Sequence, residues 1–261
     1  METNTYFRVS KEAALKAGQM LKDNIDQSSE ISYKGTVDLV TNFDTQAQRM
    51  IIDHISSRFP DHDYLAEEGL NQKKEAEFRW IVDPLDGTTN YAHSFPVFTV
   101  SIALEKKGEV ILGLVYDPMR EEMFSAVKGE GAFLNRKEIK VSAVDDLDKS
   151  LLATGFPYDI RTSEVNNIVH FNNFLTRAQG IRRCGSAAMD LCYVACGRFD
   201  GFWELKLSPW DVAAGTFIVQ EAGGRISDFR NGEFTIFGSE VLASNGLIHQ
   251  KMVDVLTGVT S

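Results

Sequence analysis

The chain has 261 residues and is 43% hydrophobic, enough for one large domain or two closely packed halves around a buried core. Its 27 Lys and Arg against 37 Asp and Glu give a formal charge of -10, which disfavours bulk nucleic-acid binding and makes a polyanionic ligand dependent on metal or a local basic patch. No stretch approaches the ~20 apolar residues that span a bilayer and the N-terminal METNTYFRVSKEAA lacks an export pattern, so we expect a soluble cytoplasmic protein.

In residues 3–26, Phe7, Ala14, Ala17, Leu21 and Ile25 share one helical face, with Lys11, Lys16, Lys22 and Asp23 on others, which predicts an amphipathic helix. A polar stretch at Gln27 to Glu30 and a short strand near Asp38 to Thr41 follow. The spacing Ala47, Met50, Ile51, His54, Ile55, Phe59 predicts a second helix ending at Pro60, with Thr41 as N-cap and Asp44 in the first turn. From Arg79 the runs WIVD, VFTVSIALE, EVILGLVYD, EEMFSAV, GAFLN and EIKVS are parted by Lys107-Gly108, Asp117-Pro118 and Lys128-Gly129, which predicts an antiparallel meander. Past Ser150, strands near LLATGF, IRRCG, DGFWEL and GRISDF alternate with helices near residues 164–178, 186–196 and 211–222, a mixed α/β pattern. No linker or repeat parts the halves, so two sub-domains, 1–145 and 146–261, are expected to share one extensive interface.

The segment Trp80-Ile81-Val82-Asp83-Pro84-Leu85-Asp86-Gly87-Thr88-Thr89-Asn90 runs an apolar strand into two acids, a glycine and hydroxyl residues. Asp83 and Asp86 flank a proline that blocks regular ladder bonding, so both carboxylates and the Leu85 carbonyl can converge on one or two cations, and hard oxygen ligands of this kind suit magnesium. Gly87, Thr88 and Thr89 then offer backbone N–H groups at a helix start, where an anion such as phosphate is favoured. An Asp-Pro turn with Asp86 capping a short helix accounts for the same residues without any ligand. Glu67-Glu68 before the turn residue Gly69, and Asp211 opening a helix with the small residues Ala213, Ala214 and Gly215, supply further acids. Cys184, Cys192 and Cys196 cannot all pair; Cys192 and Cys196 lie four apart as in plain helix packing, with too few neighbouring ligands for zinc. His93 and His170 read as structural.

The run from Trp80 to His93 and the run Trp210-Asp211-Val212-Ala213-Ala214-Gly215 through Gly223-Gly224 resemble the two signature segments of the inositol monophosphatase family, and the order of elements matches over nearly the whole chain. The resemblance implies that Glu67, Asp83 and the Leu85 carbonyl hold a first magnesium, that Asp83, Asp86 and Asp211 hold a second, and that Glu67 with waters holds a weaker third. It implies that Thr88, bonded to Asp44, orients and helps deprotonate the attacking water, and that Gly87, Thr88 and Thr89 bind the phosphate. Gly185, Ser186, Ala187 and Glu204 match contacts to the alcohol, with Asp211 and Asp86 also near the ester. Paired cations both neutralise a phosphomonoester dianion and generate a nucleophile near neutral pH, so no covalent intermediate is expected. The expected fold is an α+β layered α/β/α/β/α sandwich, in which residues 80–141 form a large antiparallel sheet and the second half adds a smaller mixed one. The resemblance further implies a homodimer and inhibition by lithium.

Thr89-Asn90 looks like the branch that hydrolyses myo-inositol monophosphate; nucleotide-phosphatase relatives more often carry lysine in place of Thr89. The stretch from Gly69 to Arg79 is short, as in enzymes that also accept fructose 1,6-bisphosphate. Glu204 suits a polyol hydroxyl, and histidinol phosphate is a further alternative. A reading of another class is a metal-binding interaction protein in transcription.

Overall fold

The computed structural model describes residues 2–27, 31–33, 39–69, 71–72 and 76–258. The first half runs α1 (Glu2–Asn24), β1 (Ile31–Tyr33), β2 (Leu39–Thr41), α2 (Asn42–Ser56), β3 (Asp63–Ala66), β4 (Asn71–Gln72), β5 (Phe78–Asp86) and α3 (Thr88–Ala92). The meander follows as β6 (Thr99–Lys106), β7 (Glu109–Asp117), β8 (Glu122–Val127), β9 (Gly131–Leu134) and β10 (Lys137–Ile139). Next come β11 (Leu151–Thr154), α4 (Ile168–Leu175), β12 (Gly180–Arg182), α5 (Ala187–Ala195) and β13 (Gly201–Leu205). The chain closes with α6 (Pro209–Glu221), β14 (Arg225–Ser227), β15 (Glu240–Ser244) and α7 (His249–Thr257).

Strand alternation builds the layers, because successive side chains point to opposite faces. In β5, Trp80 and Val82 pack with α1 and α2 while Ile81 packs with α5 and α6; in β7, Leu112 and Leu114 face the first pair and Val115 the second. The small sheet repeats the pattern: Phe202, Val241 and Ala243 face α5 and α6, whereas Trp203, Leu205 and Leu242 face α7. The result is α1/α2, large sheet, α5/α6, small sheet, α4/α7, the five-layer sandwich expected. As the middle layer, α6 is buried continuously from Val212 to Val219, so it needs no polar face. It lies so close to β7 that a Cβ on Gly113 would stand 2.7 Å from the Ala214 carbonyl oxygen.

The large sheet has eight strands in the order β10-β9-β8-β7-β6-β5-β3-β4. The antiparallel meander extends from β5 to β10, β3 adds a parallel strand beside β5 and β4 lies antiparallel outside it, so the sheet begins before residue 80 and is not antiparallel throughout. The small sheet, β12-β11-β13-β15-β14, mixes parallel and antiparallel pairs as expected. The second helix ends at Ser56 and not at Pro60: the N–H groups of Arg58 and Phe59 both turn onto the Ile55 carbonyl, which closes the helix before the proline. The helix expected over 164–178 is shorter, since Asn167 at its start spends its amide on Thr154, Gly155 and Trp203. The strand expected near Asp38 to Thr41 is seen as Leu39–Thr41, with Asp38 outside the described residues. Among the described residues, no helix is long and apolar enough to cross a membrane.

Candidate functional site

The site begins at an irregularity in β5. Its pairing with β6 passes from Asp83 opposite Ser101 to Asp86 opposite Thr99, three steps against two, so one extra residue sits at Pro84-Leu85. In a regular strand residues three apart point to opposite faces; the extra residue brings Asp83 and Asp86 to one side, where both line a cavity of about 570 Å³. The Leu85 N–H donates to Asp83 Oδ1 at 3.0 Å, fixing that carboxylate.

Gly87 follows with φ of 105°, a conformation that favours glycine, and a Cβ there would meet the Val97 and Gly185 carbonyl oxygens at 3.0 and 3.2 Å. The turn starts α3 at Thr88, so the first N–H groups of that helix lack intrahelical acceptors. Asp86 does not cap α3: its Oδ2 accepts from Ser186 Oγ and from the Ala188 N–H, each at 2.7 Å. An acid of the large sheet therefore fastens the start of α5, a hundred residues on. Asn90 adds a second tie, its amide donating to the carbonyls of Val97 and Cys184 at 2.8 and 2.9 Å.

Thr88 Oγ1 lies 2.9 Å from Asp44 Oδ1 and 3.1 Å from the Leu85 carbonyl oxygen, within bonding reach of either. Asp44 is fully buried in the first turn of α2, behind the cavity wall. Glu67 reaches the cavity from the end of β3, where the turn is held by a side chain to which the sequence reading gave no role. Gln48 Nε2 donates to the Glu68 carbonyl at 3.2 Å and Gln48 Oε1 accepts from the Glu68 N–H at 2.8 Å. Asp211 stands in the first turn of α6, accepting from the Ser208 N–H at 2.7 Å. Glu204, on β13, lies over Gly155, where a Cβ would overlap its carboxyl.

Glu67, Asp83, Leu85, Asp86, Gly87, Thr88, Thr89, Gly185, Ser186, Ala187, Glu204 and Asp211 all line this one cavity, and Asp44 connects to it through Thr88. Cys184 also lines it, and all three cysteines are free thiols. Arg183, Gly155 and Asp190 join the wall from runs in which the sequence offered no motif to single them out. His93 lies at the end of α3 and His170 stacks edge-on to Phe229, both outside the cavity lining.

Burial and crowding set the electrostatics. Asp83 is held well above the ordinary carboxylate range by burial first, then by the charges of Glu67, Asp86 and Asp211. Burial likewise raises Asp211, with Asp86 adding to it, and raises Asp86 to about 6 against its bonds to Ser186 and the α5 backbone. Glu204 is pushed up to about 8 by burial, partly offset by Arg183. Among the described residues, Asp83, Asp86 and Asp211 make no ion pair with a lysine or arginine. Asp83, Asp86 and Asp211 are thus buried together with Arg183 as a basic neighbour that offsets them only in part, and their carboxylates offer hard oxygen donors of the kind that suit a divalent cation.

Residues 2–259 match the sequence profile of the Inositol monophosphatase family. An inositol-1-monophosphatase of Synechocystis is 45% identical over 257 residues, covering 98% of this chain and 90% of that protein. A protein of Escherichia coli K12 named Nus factor SuhB is 42% identical over 248 residues, covering 94% and 93%. The solved structure of an inositol monophosphatase from Anabaena superposes with a TM-score of 0.90 at 40% identity, covering 100% of this chain and 98% of the other.

Proposed function

The chain belongs to the inositol monophosphatase family, and from that premise we propose that it hydrolyses myo-inositol monophosphate and related polyol or sugar monophosphates to the free alcohol and phosphate. The observation that carries this reading is the convergence of Glu67, Asp83, Asp86 and Asp211 with the start of α3 in one cavity.

Glu67, Asp83 and the Leu85 carbonyl would hold one magnesium ion, Asp83, Asp86 and Asp211 a second, and Glu67 a weaker third. Bound there, divalent ions neutralise a phosphomonoester dianion and lower the pKa of water toward neutrality. Thr88, within 2.9 Å of Asp44, is placed to take a proton from the attacking water and pass its own toward that carboxylate. The N–H groups at Gly87, Thr88 and Thr89 receive the phosphate, where the start of a helix favours an anion. Gly185, Ser186, Ala187 and Glu204 line the alcohol side of the same cavity.

The test is kcat/KM for myo-inositol monophosphate, fructose 1,6-bisphosphate and histidinol phosphate at one magnesium concentration. The inositol ester should be the best substrate; a higher value for either competitor reassigns the specificity within the same chemistry. Millimolar lithium should inhibit, and activity indifferent to it would count against the second cation site. We further propose a cytoplasmic homodimer, which sedimentation at micromolar protein would refute by showing monomer alone. Relatives named Nus factor SuhB favour a second reading, an interaction protein that retains its metal site. Absence of turnover on every monophosphate under excess magnesium would select it.

A further inference from the structure

Helix α5 is buried at Ala187, Ala188, Met189, Leu191, Cys192, Val194 and Ala195, and among these apolar positions it carries one acid, Asp190. Asp190 is 2% exposed, lines the cavity, and its Oδ1 has no hydrogen-bond partner. A buried carboxyl oxygen left without a partner costs about 1–3 kcal/mol or more, so a native fold seldom keeps one without a use. The neighbouring groups do not supply that use. The Cys184 thiol beside it is a weak donor, and Arg183, whose charge reaches it, makes no ion pair with it among the described residues.

The helix turn that carries this carboxyl is fixed relative to the proposed reaction centre. The Ser186 and Ala188 bonds to Asp86 pin the first turn of α5, and the Asp190 N–H donates to the Ser186 carbonyl at 3.0 Å. Asp190 and Glu204 line the same cavity, and Asp190 adds to the rise of Glu204, so the alcohol side presents two acids. A hydroxyl both donates and accepts, and satisfies Oδ1 whether the acid is ionised or protonated.

We propose that Asp190 is a specificity-determining residue of the alcohol subsite, its free carboxyl oxygen bonding a ring hydroxyl of the polyol that carries the scissile phosphate. The assignment rests on the phosphomonoesterase reading above. It places recognition of the alcohol on α5 as well as on β13, and selects esters with a neutral hydroxyl beyond the ester oxygen.

The experiment compares wild type, Asp190→Ala and Asp190→Asn on myo-inositol monophosphate and on p-nitrophenyl phosphate, which has no hydroxyl on its ring, at the same magnesium concentration. Asp190→Ala should lower kcat/KM on the inositol ester about 10- to 100-fold more than on the nitrophenyl ester, the range for leaving a buried hydrogen-bonding group without its partner. Asp190→Asn keeps an acceptor oxygen and should recover most of that discrimination. Equal losses on both esters would overturn the proposal in favour of a structural acid or a buried water. Should Asp190→Ala fail to fold, the wild type on a series of monodeoxy inositol monophosphates carries the test: one deoxy position should lose the same factor, and uniform rates would overturn the assignment. A preference for an amino-alcohol phosphate that disappears in Asp190→Ala would assign the oxygen to an ammonium group and overturn the hydroxyl reading. Wild type inactive on both esters would defeat the hydrolase reading itself, and this assignment with it.

Discussion

Replacing Thr88 by Ala removes one hydroxyl and tests whether it serves the reaction or only the fold. Thr88 is 6% exposed, and its Oγ1 is 2.9 Å from a fully buried carboxylate oxygen of Asp44. Loss of a buried hydrogen bond to a charged group costs about 2 kcal/mol, which for a chain of this length is roughly 4 °C of melting temperature. If that were its whole role, the folded variant at 25 °C would turn over at nearly the wild-type rate. If the hydroxyl relays a proton to Asp44, kcat should instead fall by about 100- to 10,000-fold while the magnesium dependence changes little. Thr88→Ser keeps the hydroxyl and should restore most of kcat. Asp44→Asn should resemble Thr88→Ala, and the double variant should be little worse than either, because groups acting as one unit are not additive. Rates, magnesium titrations and melting curves on the four variants decide the matter. A near-wild-type kcat for Thr88→Ala refutes the relay.

Gln48→Ala removes both bonds that hold the turn carrying Glu67, so the magnesium concentration for half-maximal activity should rise several-fold while kcat at saturating magnesium largely recovers; an unchanged magnesium curve would show that the turn holds itself. Gly113→Ala sets a Cβ 2.7 Å from the Ala214 carbonyl oxygen, backbone that cannot rotate away, and should destabilise by about 1–3 kcal/mol in urea unfolding; no loss would mean that α6 shifts freely. His249 is buried between Ser227 Oγ at 2.9 Å and Ser244 Oγ at 2.8 Å, and burial lowers its pKa to about 4 from 6.5. Since Ser227 donates to the Asp228 carbonyl, it accepts from Nε2–H, while Ser244 donates to Nδ1, an arrangement that only the neutral ring completes. Between pH 6.5 and about 4 the unfolded chain binds this proton and the folded chain does not. Stability should therefore fall with pH across that window, by at most about 1.4 kcal/mol per unit, and level off below it. His249→Gln should flatten this part of the stability curve, and an unchanged slope would refute the assignment.

The central strands β6 and β7 of the large sheet were legible because both of their faces are buried, so each reads as a nearly continuous apolar run cut by turn residues. The strand β3 and the closing pair β15 and α7 were less so: these are short, and α7 begins at Ile248-His249 without a side-chain cap. Asp83 and Asp86 stood out through the proline between them, yet their common direction depends on the one-residue slip against β6, which no local pattern reveals. Asp44 and Thr88 are 44 residues apart and were paired through family resemblance, since their contact arises only when α2 docks beside α3. Gln48 and Asp190 escaped notice for a related reason. Each lies within a helix whose spacing explains it adequately, and its partners or lack of them come from tertiary packing.

The bonds from Asp86 to Ser186 and Ala188 place one acid of the centre astride the seam between the two sheets. Glu67, Asp83 and Asp86 come from one side of that seam, and Asp211 and Glu204 from the other. Neither side carries all of these acids, so on the proposed reading hydrolysis would report that both are present and docked. Divided in the segment between β10 and β11, the chain would on that reading behave as a two-input gate, silent for each fragment alone and active on reassembly.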